Sequence, residues 1–158
     1  MSILGTRALF KIIDEEGKEI CTIYTQFDGY PDGVPLDVVE FIKSKRLVSG
    51  IPLDAYDEVF NGMDDLAAQV IAFLKLNHSK WLREELAKKK EVKSEIMAGT
   101  IYVMPPGTRD VWEEYVYVFK PCGETVQIEA YEVNGEKDEL IFSGKPEEYL
   151  KWVLPKKV

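Results

Sequence analysis

Strand-forming segments occupy both ends of the chain, and segments with helical periodicity occupy its middle. Residues 8–13 and 19–27 are rich in Ile, Leu, Thr, Tyr and Phe, with the turn formers Asp14-Glu15-Glu16-Gly17 between them. The last third of the chain returns to this composition. A chain that runs from strands through helices and back to strands favours an α+β fold.

The first two segments predict an antiparallel hairpin, and a dense run of turn formers follows its second strand. Asp28-Gly29-Tyr30-Pro31-Asp32-Gly33 predicts a structured loop, with Gln26 beside it. Pro35 suits the first turn of a helix in which apolar residues recur at helical spacing. The hairpin is therefore expected to lead through a polar and aromatic loop into a helix.

Further helices are predicted in the middle of the chain and at its end. Residues 47–52 form a connector, and Asn61-Gly62 is a start signal for a helix whose apolar residues recur through Leu74. Ser79 is predicted to cap another helix, and Pro146 to open a short final one.

The helix predicted from Ser79 to near Gly99 contains a run of basic residues. Glu84, Glu85 and Glu91 interleave them and support ion pairs between helical neighbours, which favours a solvated helix face over a nucleic-acid patch. The basic residues are Lys80, Arg83, Lys88, Lys89, Lys90 and Lys93.

The last third predicts an antiparallel meander of four strands, at 100–104, 115–120, 125–133 and 139–142. Residues 115–119 are apolar on both faces, which is typical of a central strand that is covered on both sides. We therefore expect one α+β domain over 1–158: a mostly antiparallel sheet of about five to six strands, with three to four helices packed against it.

The charge balance narrows the classes of partner. The 158-residue chain has 20 Lys and Arg against 28 Asp and Glu, a net charge of −8 that repels phosphate backbones and anionic lipid. Generic nucleic-acid binding is not expected, and no apolar run approaches the ~18 residues that cross a bilayer. Cys21 and Cys122 lie far apart without a CxxC motif, which favours buried thiols in a reducing cytoplasm.

Familiar catalytic signatures are absent from the sequence. It has no Walker lysine loop, no GxGxxG and no GxSxG, and its one histidine, His78, lies at a predicted helix junction. Capping or exposure is more common for such a histidine than metal ligation. A nuclease site of Asp32 with Glu91 and Lys93 is also disfavoured, because the last two point to different sides of a predicted helix.

Four ordered motifs between residues 5 and 120 carry a resemblance to a known family. GTR, YTQFDGYP, FNGMDDLAAQ and PPGTRDVWEEYVY are similar to motifs of an uncharacterised family of small phage, prophage and mobile-element proteins. The chain departs from that pattern in reading GTRALF where the family tends to read GTRSLT, and in having Asp64-Asp65 after FNGM. The resemblance implies a viral or host-interaction setting and no particular mechanism.

Arginine and aromatic residues of these motifs are expected to share one polar cleft. Arg7 precedes the first strand, and Asp28 and Tyr30 follow the second, so the hairpin brings those ends together. Arg109 joins them if the strand at 115 lies beside the hairpin. The candidate ligand-binding residues are Arg7, Gln26, Asp28, Tyr30, Asn61, Arg109 and Trp112.

Such a cleft suits a phosphorylated or carboxylated small molecule, with Tyr30 or Trp112 stacking on a base. Each charge-assisted hydrogen bond contributes about 1.5 to 3 kcal/mol. The competing interpretation has Arg7 paired with Asp28 and Arg109 paired with Glu113 or Glu114, with the turn residues only shaping loops.

Three functions stay open. The first is a virus- or mobile-element-encoded protein of the host cytoplasm, without a cofactor, that captures a small anionic or nucleotide ligand or docks on a host protein. The second is a Mg²⁺-dependent enzyme that cleaves phosphodiesters, with Asp28, Asp110, Glu113 and Glu114 as oxygen ligands. The third is a structural or assembly protein whose strand edges pair in a homo-oligomer.

Overall fold

Eight strands and three helices make up residues 5–154, the part of the chain that the computed structural model describes. In chain order they are β1 (Ala8–Ile13), β2 (Glu19–Thr25), α1 (Val34–Lys43), β3 (Arg46–Val48), β4 (Val59–Asn61), α2 (Gly62–Leu86), β5 (Ile101–Met104), β6 (Tyr115–Cys122), β7 (Thr125–Asn134), β8 (Lys137–Gly144) and α3 (Pro146–Val153).

Six of the strands form one sheet in the order β5-β2-β1-β6-β7-β8. Within this sheet, as described over residues 5–154, β1 and β6 are the parallel pair, with Phe10 opposite Tyr117, and the other neighbouring strands are antiparallel. The predicted α+β domain with a mostly antiparallel sheet is confirmed, as are its hairpin and its central strand β6.

β5 departs from the predicted meander. It pairs with β2 at the far edge of the sheet, with Tyr102 opposite Tyr24, whereas β6, β7 and β8 do form a meander. The connection from β5 to β6, residues 105–114, passes over the sheet face opposite the three helices, where Val111 packs against Leu9, Tyr24 and Val116. Turn residues indicate that two strands are connected but not which strands become neighbours in the sheet. The pairing of β5 with β2 was therefore not predicted from the sequence.

The three helices pack on the opposite face and enclose the main core. Phe10, Ile12, Tyr117 and Phe119 point into this core because alternate residues of a strand share a face. Phe10 stacks on Tyr117 with ring centroids 5.5 Å apart. Because β1 and β6 pack against each other in this core, the relative positions of their ends are fixed.

α2 is longer than predicted, and Ser79 does not cap a separate helix. The helix runs without a break from Gly62 to Leu86, and Ser79 is buried inside it, where its hydroxyl oxygen accepts a hydrogen bond from the Met97 N–H at 2.8 Å. The basic residues at 88–93 consequently follow the helix in turns and irregular backbone and do not form a helix face. His78 contacts the same returning segment through Ala98 and Thr100.

A small second sheet replaces the predicted connector. β3 and β4 pair in parallel, with Arg46 opposite Val59, and the Leu47 N–H donates to the Glu124 carbonyl in the turn after β6. Strands of three residues are too short for alternation to reveal them.

Both cysteines are free thiols, Cys21 buried and Cys122 half-buried. They lie on β2 and β6, which β1 separates, so their strands are not neighbours. No helix within residues 5–154 is both long and apolar enough to cross a membrane.

Candidate functional site

Four segments that are remote in the chain meet at one end of the sheet. The Gly29 N–H donates to the Thr6 carbonyl at 2.9 Å, and the Glu114 N–H donates to the Arg7 carbonyl at 2.8 Å. A further bond, from the Val133 N–H to the Glu114 carbonyl, adds the end of β7. We call this surface the motif end, comprising residues 5–7, 26–32, 109–114 and 132–138.

Two buried tyrosines fix the loop that follows β2. The Tyr117 hydroxyl donates to the Gly29 carbonyl at 2.8 Å, and the Tyr149 hydroxyl donates to the Pro31 carbonyl at 2.6 Å. Burial raises the pKa of both hydroxyls well above the usual tyrosine value, so they remain donors at physiological pH. The loop is thereby held against β6 and α3.

Tyr30 and Asp28 face solvent from this fixed loop. The Tyr30 hydroxyl donates to the Asp28 carboxylate at 3.0 Å, and this bond is the main cause of the raised pKa of Tyr30. Asp28 has a positive φ of 57° and its carbonyl accepts the N–H of Val34 at the start of α1. The predicted pair of Arg7 with Asp28 does not form: Asp28 bonds Tyr30 instead.

Arg109 is held between two carboxylates. Its Nε donates to Glu113 at 2.6 Å, and its two terminal nitrogens donate to Asp138 at 2.6 and 2.8 Å. The bonds to Asp138 are the largest cause of a raised pKa at Arg109, so the guanidinium stays charged. The competing interpretation of Arg109 as a partner of Glu113 therefore matches the geometry, and Asp138 is an additional partner that the sequence analysis missed.

Glu113 is a buried carboxylate that shapes the loop before β6. It also accepts the Val111 N–H at 2.9 Å. Burial alone would raise the pKa of Glu113, but the hydrogen bonds from Arg109 and from backbone N–H groups, with the charge of Arg109, lower it overall. Glu113 is thus an internal anion that orders the segment leading to Trp112.

Arg7 and Trp112 form a cation–aromatic contact at the motif end. The Arg7 guanidinium lies 5.4 Å from the centre of the Trp112 ring, and Trp112 is 75% exposed with a φ of +65°. Within residues 5–154 Arg7 makes no ion pair, and its buried Nε has no hydrogen-bond partner. The two arginines therefore lie at the same end of the sheet in different electrostatic states.

The remaining sequence candidates separate into near and distant residues. Gln26 lies at the motif end, where its backbone N–H donates to Thr100. Asn61 does not join the others: its amide oxygen accepts the Gly50 N–H, and the neighbouring Met63 N–H donates to Glu15 in the β1–β2 turn, at the opposite end of the sheet. The order of the motifs along the chain does not determine at which end of the sheet each motif lies.

The motif end is acidic. An open cleft of about 690 Å³ lies there, and its lining includes Arg109, Trp112, Val133, Glu136 and Asp138. The four segments carry three basic side chains and eight carboxylates, which gives them a net charge of −5. The net charge of the whole chain is −8. The carboxylates are Asp28, Asp32, Asp110, Glu113, Glu114, Glu132, Glu136 and Asp138. Phe27, Tyr30 and Trp112 are the exposed aromatic side chains of these segments.

The acids of the Mg²⁺ alternative are not gathered into one group. Among the residues that the structure describes, no three or more His, Cys, Asp or Glu side chains are arranged to hold a metal ion. Glu113, one of the four proposed ligands, is engaged by Arg109 and Val111, and Asp28 by Tyr30.

A polar network under residues 105–109 was not foreseen. The Lys11 ammonium, on the sheet face opposite the three helices, donates to the Thr108 carbonyl at 3.1 Å and to the Thr22 hydroxyl at 3.2 Å, and pairs with Glu19 at 3.5 Å. Glu19 accepts hydrogen bonds from Thr22 and from the Gly107 N–H. A lysine between apolar residues of β1 was the available signal that a polar partner covers this face.

Comparison with known proteins gave no match: no family model, curated protein or solved structure is significantly similar to this chain.

Proposed function

We propose that this protein is a binding protein encoded by a virus or mobile element, and that it engages a positively charged segment of a host protein through the motif end. One observation carries the proposal: three of the four sequence motifs meet on a single acidic surface with exposed aromatic side chains. The motif resemblance supports the viral setting, and the free thiols of Cys21 and Cys122 support the host cytoplasm.

The charge at this surface favours a cationic partner over an anionic one. Asp138 and Glu113 neutralise Arg109, so it does not offset the surrounding carboxylates. Complementary potentials steer association and exclude partners of the wrong sign. Trp112, Tyr30 and Phe27 supply the aromatic anchors that dominate binding energy at protein interfaces.

A small anionic ligand is the second candidate, and Arg7 is the observation that favours it. Its guanidinium has no carboxylate partner within residues 5–154 and lies beside the exposed indole of Trp112. Such a ligand would be a nucleotide whose phosphate binds Arg7 and whose base stacks on Trp112.

Fluorescence anisotropy with a labelled Lys/Arg-rich peptide tests the first candidate. We expect saturable one-to-one binding that weakens as salt rises from low to physiological concentration, because exposed charges are screened beyond about 10 Å. Trp112→Ala is expected to weaken binding about tenfold. Trp81→Ala is the matched control, because Trp81 is also exposed but lies on α2. The affinity of this variant for the peptide should equal that of the wild type.

Absence of peptide binding, or equal losses in Trp112→Ala and Trp81→Ala, would contradict docking at the motif end. A thermal-shift series with nucleotides on the wild type and on Arg7→Gln tests the second candidate. A rise in melting temperature that disappears in Arg7→Gln would favour the anionic ligand.

A further inference from the structure

A second groove, of about 450 Å³, adjoins the motif end and shares Asp32 and Glu132 with it, on the face of the sheet that carries the helices. Tyr115, Ile141 and Trp152 form its walls, and Asp32 and Glu132 add two carboxylates. The described residues that line this groove include no Lys or Arg side chain. The groove is therefore aromatic and negatively charged.

The aromatic walls are fixed by the core. Trp152 stacks on Phe142 with ring centroids 5.0 Å apart, and its ring meets Tyr149 edge-on at 5.4 Å. On the other side, Tyr115 stacks on Tyr117 with centroids 6.2 Å apart. Rings that are held in place before a ligand arrives lose little conformational freedom on binding.

Glu132 places its carboxylate next to one of these rings. It lies directly opposite Tyr115 in the β6–β7 ladder, and its negative charge adds to burial in raising the pKa of the Tyr115 hydroxyl. Within the described part of the chain Glu132 has no basic partner. A carboxylate beside aromatic faces attracts an organic cation, and a planar guanidinium suits it best because it stacks on a ring while forking onto a carboxylate.

We propose that this groove binds the guanidinium group of an arginine side chain. The inference rests on the proposed function in one respect: the arginine belongs to the basic segment that docks on the motif end. Tyr115 and Glu132 join the two surfaces, because the adjacent residues Glu114 and Val133 form a backbone hydrogen bond within the motif end.

Two-dimensional ¹H–¹⁵N NMR on the full chain tests the groove directly. The protein has three tryptophans, so the indole signals of Trp81, Trp112 and Trp152 are assigned by Trp81→Phe and Trp112→Phe. Titration with Nα-acetyl-arginine methylamide is expected to move the Trp152 signal and leave the Trp81 signal in place. The citrulline analogue, which is isosteric and uncharged, is expected to move neither, and the lysine analogue to bind at least about threefold more weakly.

Glu132→Gln keeps the length and polarity of the side chain opposite Tyr115 and removes its charge. We expect it to weaken binding of the arginine probe at least about threefold, whereas Glu84→Gln on α2 leaves it unchanged. Equal response to citrulline, equal affinity for lysine, or an unchanged affinity in Glu132→Gln would overturn the assignment.

The same spectra separate this inference from the proposed function. If the Lys/Arg-rich peptide moves the Trp112 signal and not the Trp152 signal, docking at the motif end stands and the arginine groove is wrong. If the arginine probe moves Trp152 while the peptide does not bind, the groove stands and the docking proposal fails.

Discussion

The guanidinium of Arg109 forms two parallel hydrogen bonds to the carboxylate of Asp138, 29 positions further along the chain. The pair joins the loop before β6 to the β7–β8 hairpin, and Glu113 completes the contact from the loop itself. An arginine that is paired in this way orders the motif end and leaves the acidic charge around it uncompensated.

The buried carboxylate of Glu113 is expected to make stability depend on pH. Its pKa is lowered in the folded protein, so its contribution is fully present above the ordinary value of 4.5 and is lost as pH falls through the lower folded value. We expect Glu113→Gln to lower the free energy of unfolding by about 2 kcal/mol at pH 7.

Urea unfolding at pH 7 and at pH 3 measures this effect. The difference between the wild type and Glu113→Gln should be smaller at pH 3 than at pH 7, because the pKa of Glu113 is lowered in the folded state. Glu114→Gln, at an exposed neighbouring position, should change stability by less than about 0.5 kcal/mol at either pH. A loss in Glu113→Gln that is the same at both pH values would contradict the role of the charge.

The hydroxyl of Tyr117 is expected to stabilise the loop after β2. Tyr117→Phe leaves the Gly29 carbonyl without its 2.8 Å partner, at a cost of about 1 to 2 kcal/mol in the free energy of unfolding. Because the pKa of Tyr117 is raised in the folded state, its contribution is complete below pH 10 and falls as pH rises further. Chemical denaturation at pH 7 and above pH 10 measures the stability loss and its pH dependence. Tyr56 is exposed, so Tyr56→Phe is the control and should be as stable as the wild type.

A methyl group at Gly29 is expected to break the contact between β1 and this loop. An added Cβ would lie 2.6 Å from the Ala8 Cβ and 2.9 Å from the Ala8 backbone nitrogen. We expect Gly29→Ala to cost at least about 2 kcal/mol, mainly through overpacking. In Gly135→Ala the Cβ meets nothing within 4 Å and only the positive φ of 64° is strained, so about 1 kcal/mol is expected in the same thermal or urea experiment. Equal losses would show that space at Gly29 is not limiting.

The Lys11 network is expected to tether residues 105–109 to the sheet. Lys11→Met removes the charge that faces Glu19 and the donor to Thr108, and should cost about 2 kcal/mol because both charged side chains are largely buried. Hydrogen exchange at the Gly107 N–H should accelerate. Lys120→Met, which breaks the exposed pair with Glu129, should cost less than about 0.5 kcal/mol and leave that exchange unchanged.

Local patterns in the sequence predicted most elements of the fold. The β1–β2 hairpin follows from turn chemistry at Asp14-Glu15-Glu16-Gly17, and β6 as a central strand follows from its two apolar faces. The parallel pairing of β1 with β6 and the position of β5 beside β2 depend on contacts that only the assembled sheet decides. The continuous α2 was not predicted because Ser79 was interpreted as a helix cap. In the structure Ser79 lies inside the helix, and its hydroxyl oxygen accepts a hydrogen bond from the Met97 N–H.

The candidate site was predicted in part. Hairpin geometry correctly placed Arg7 near the loop that contains Asp28 and Tyr30, and Arg109 reaches the same end of the sheet because β6 lies beside β1. The pair with Asp138 was not predicted, although the Asn134-Gly135 turn sets the register that places Asp138 opposite Val133. A site assembled from four segments is predictable only where the pairing of strands is also known.

A double charge reversal at the motif end tests the central claim most directly. We predict that Asp110→Lys with Glu136→Lys lowers the affinity for the Lys/Arg-rich peptide at least about tenfold, because two carboxylates beside Trp112 become repulsive. Glu84→Lys with Glu85→Lys on α2 makes the same change in net charge and should lower the affinity less than about threefold. Equal losses in the two double variants, or an affinity unchanged by reversal at the motif end, would contradict docking of a basic partner on this surface.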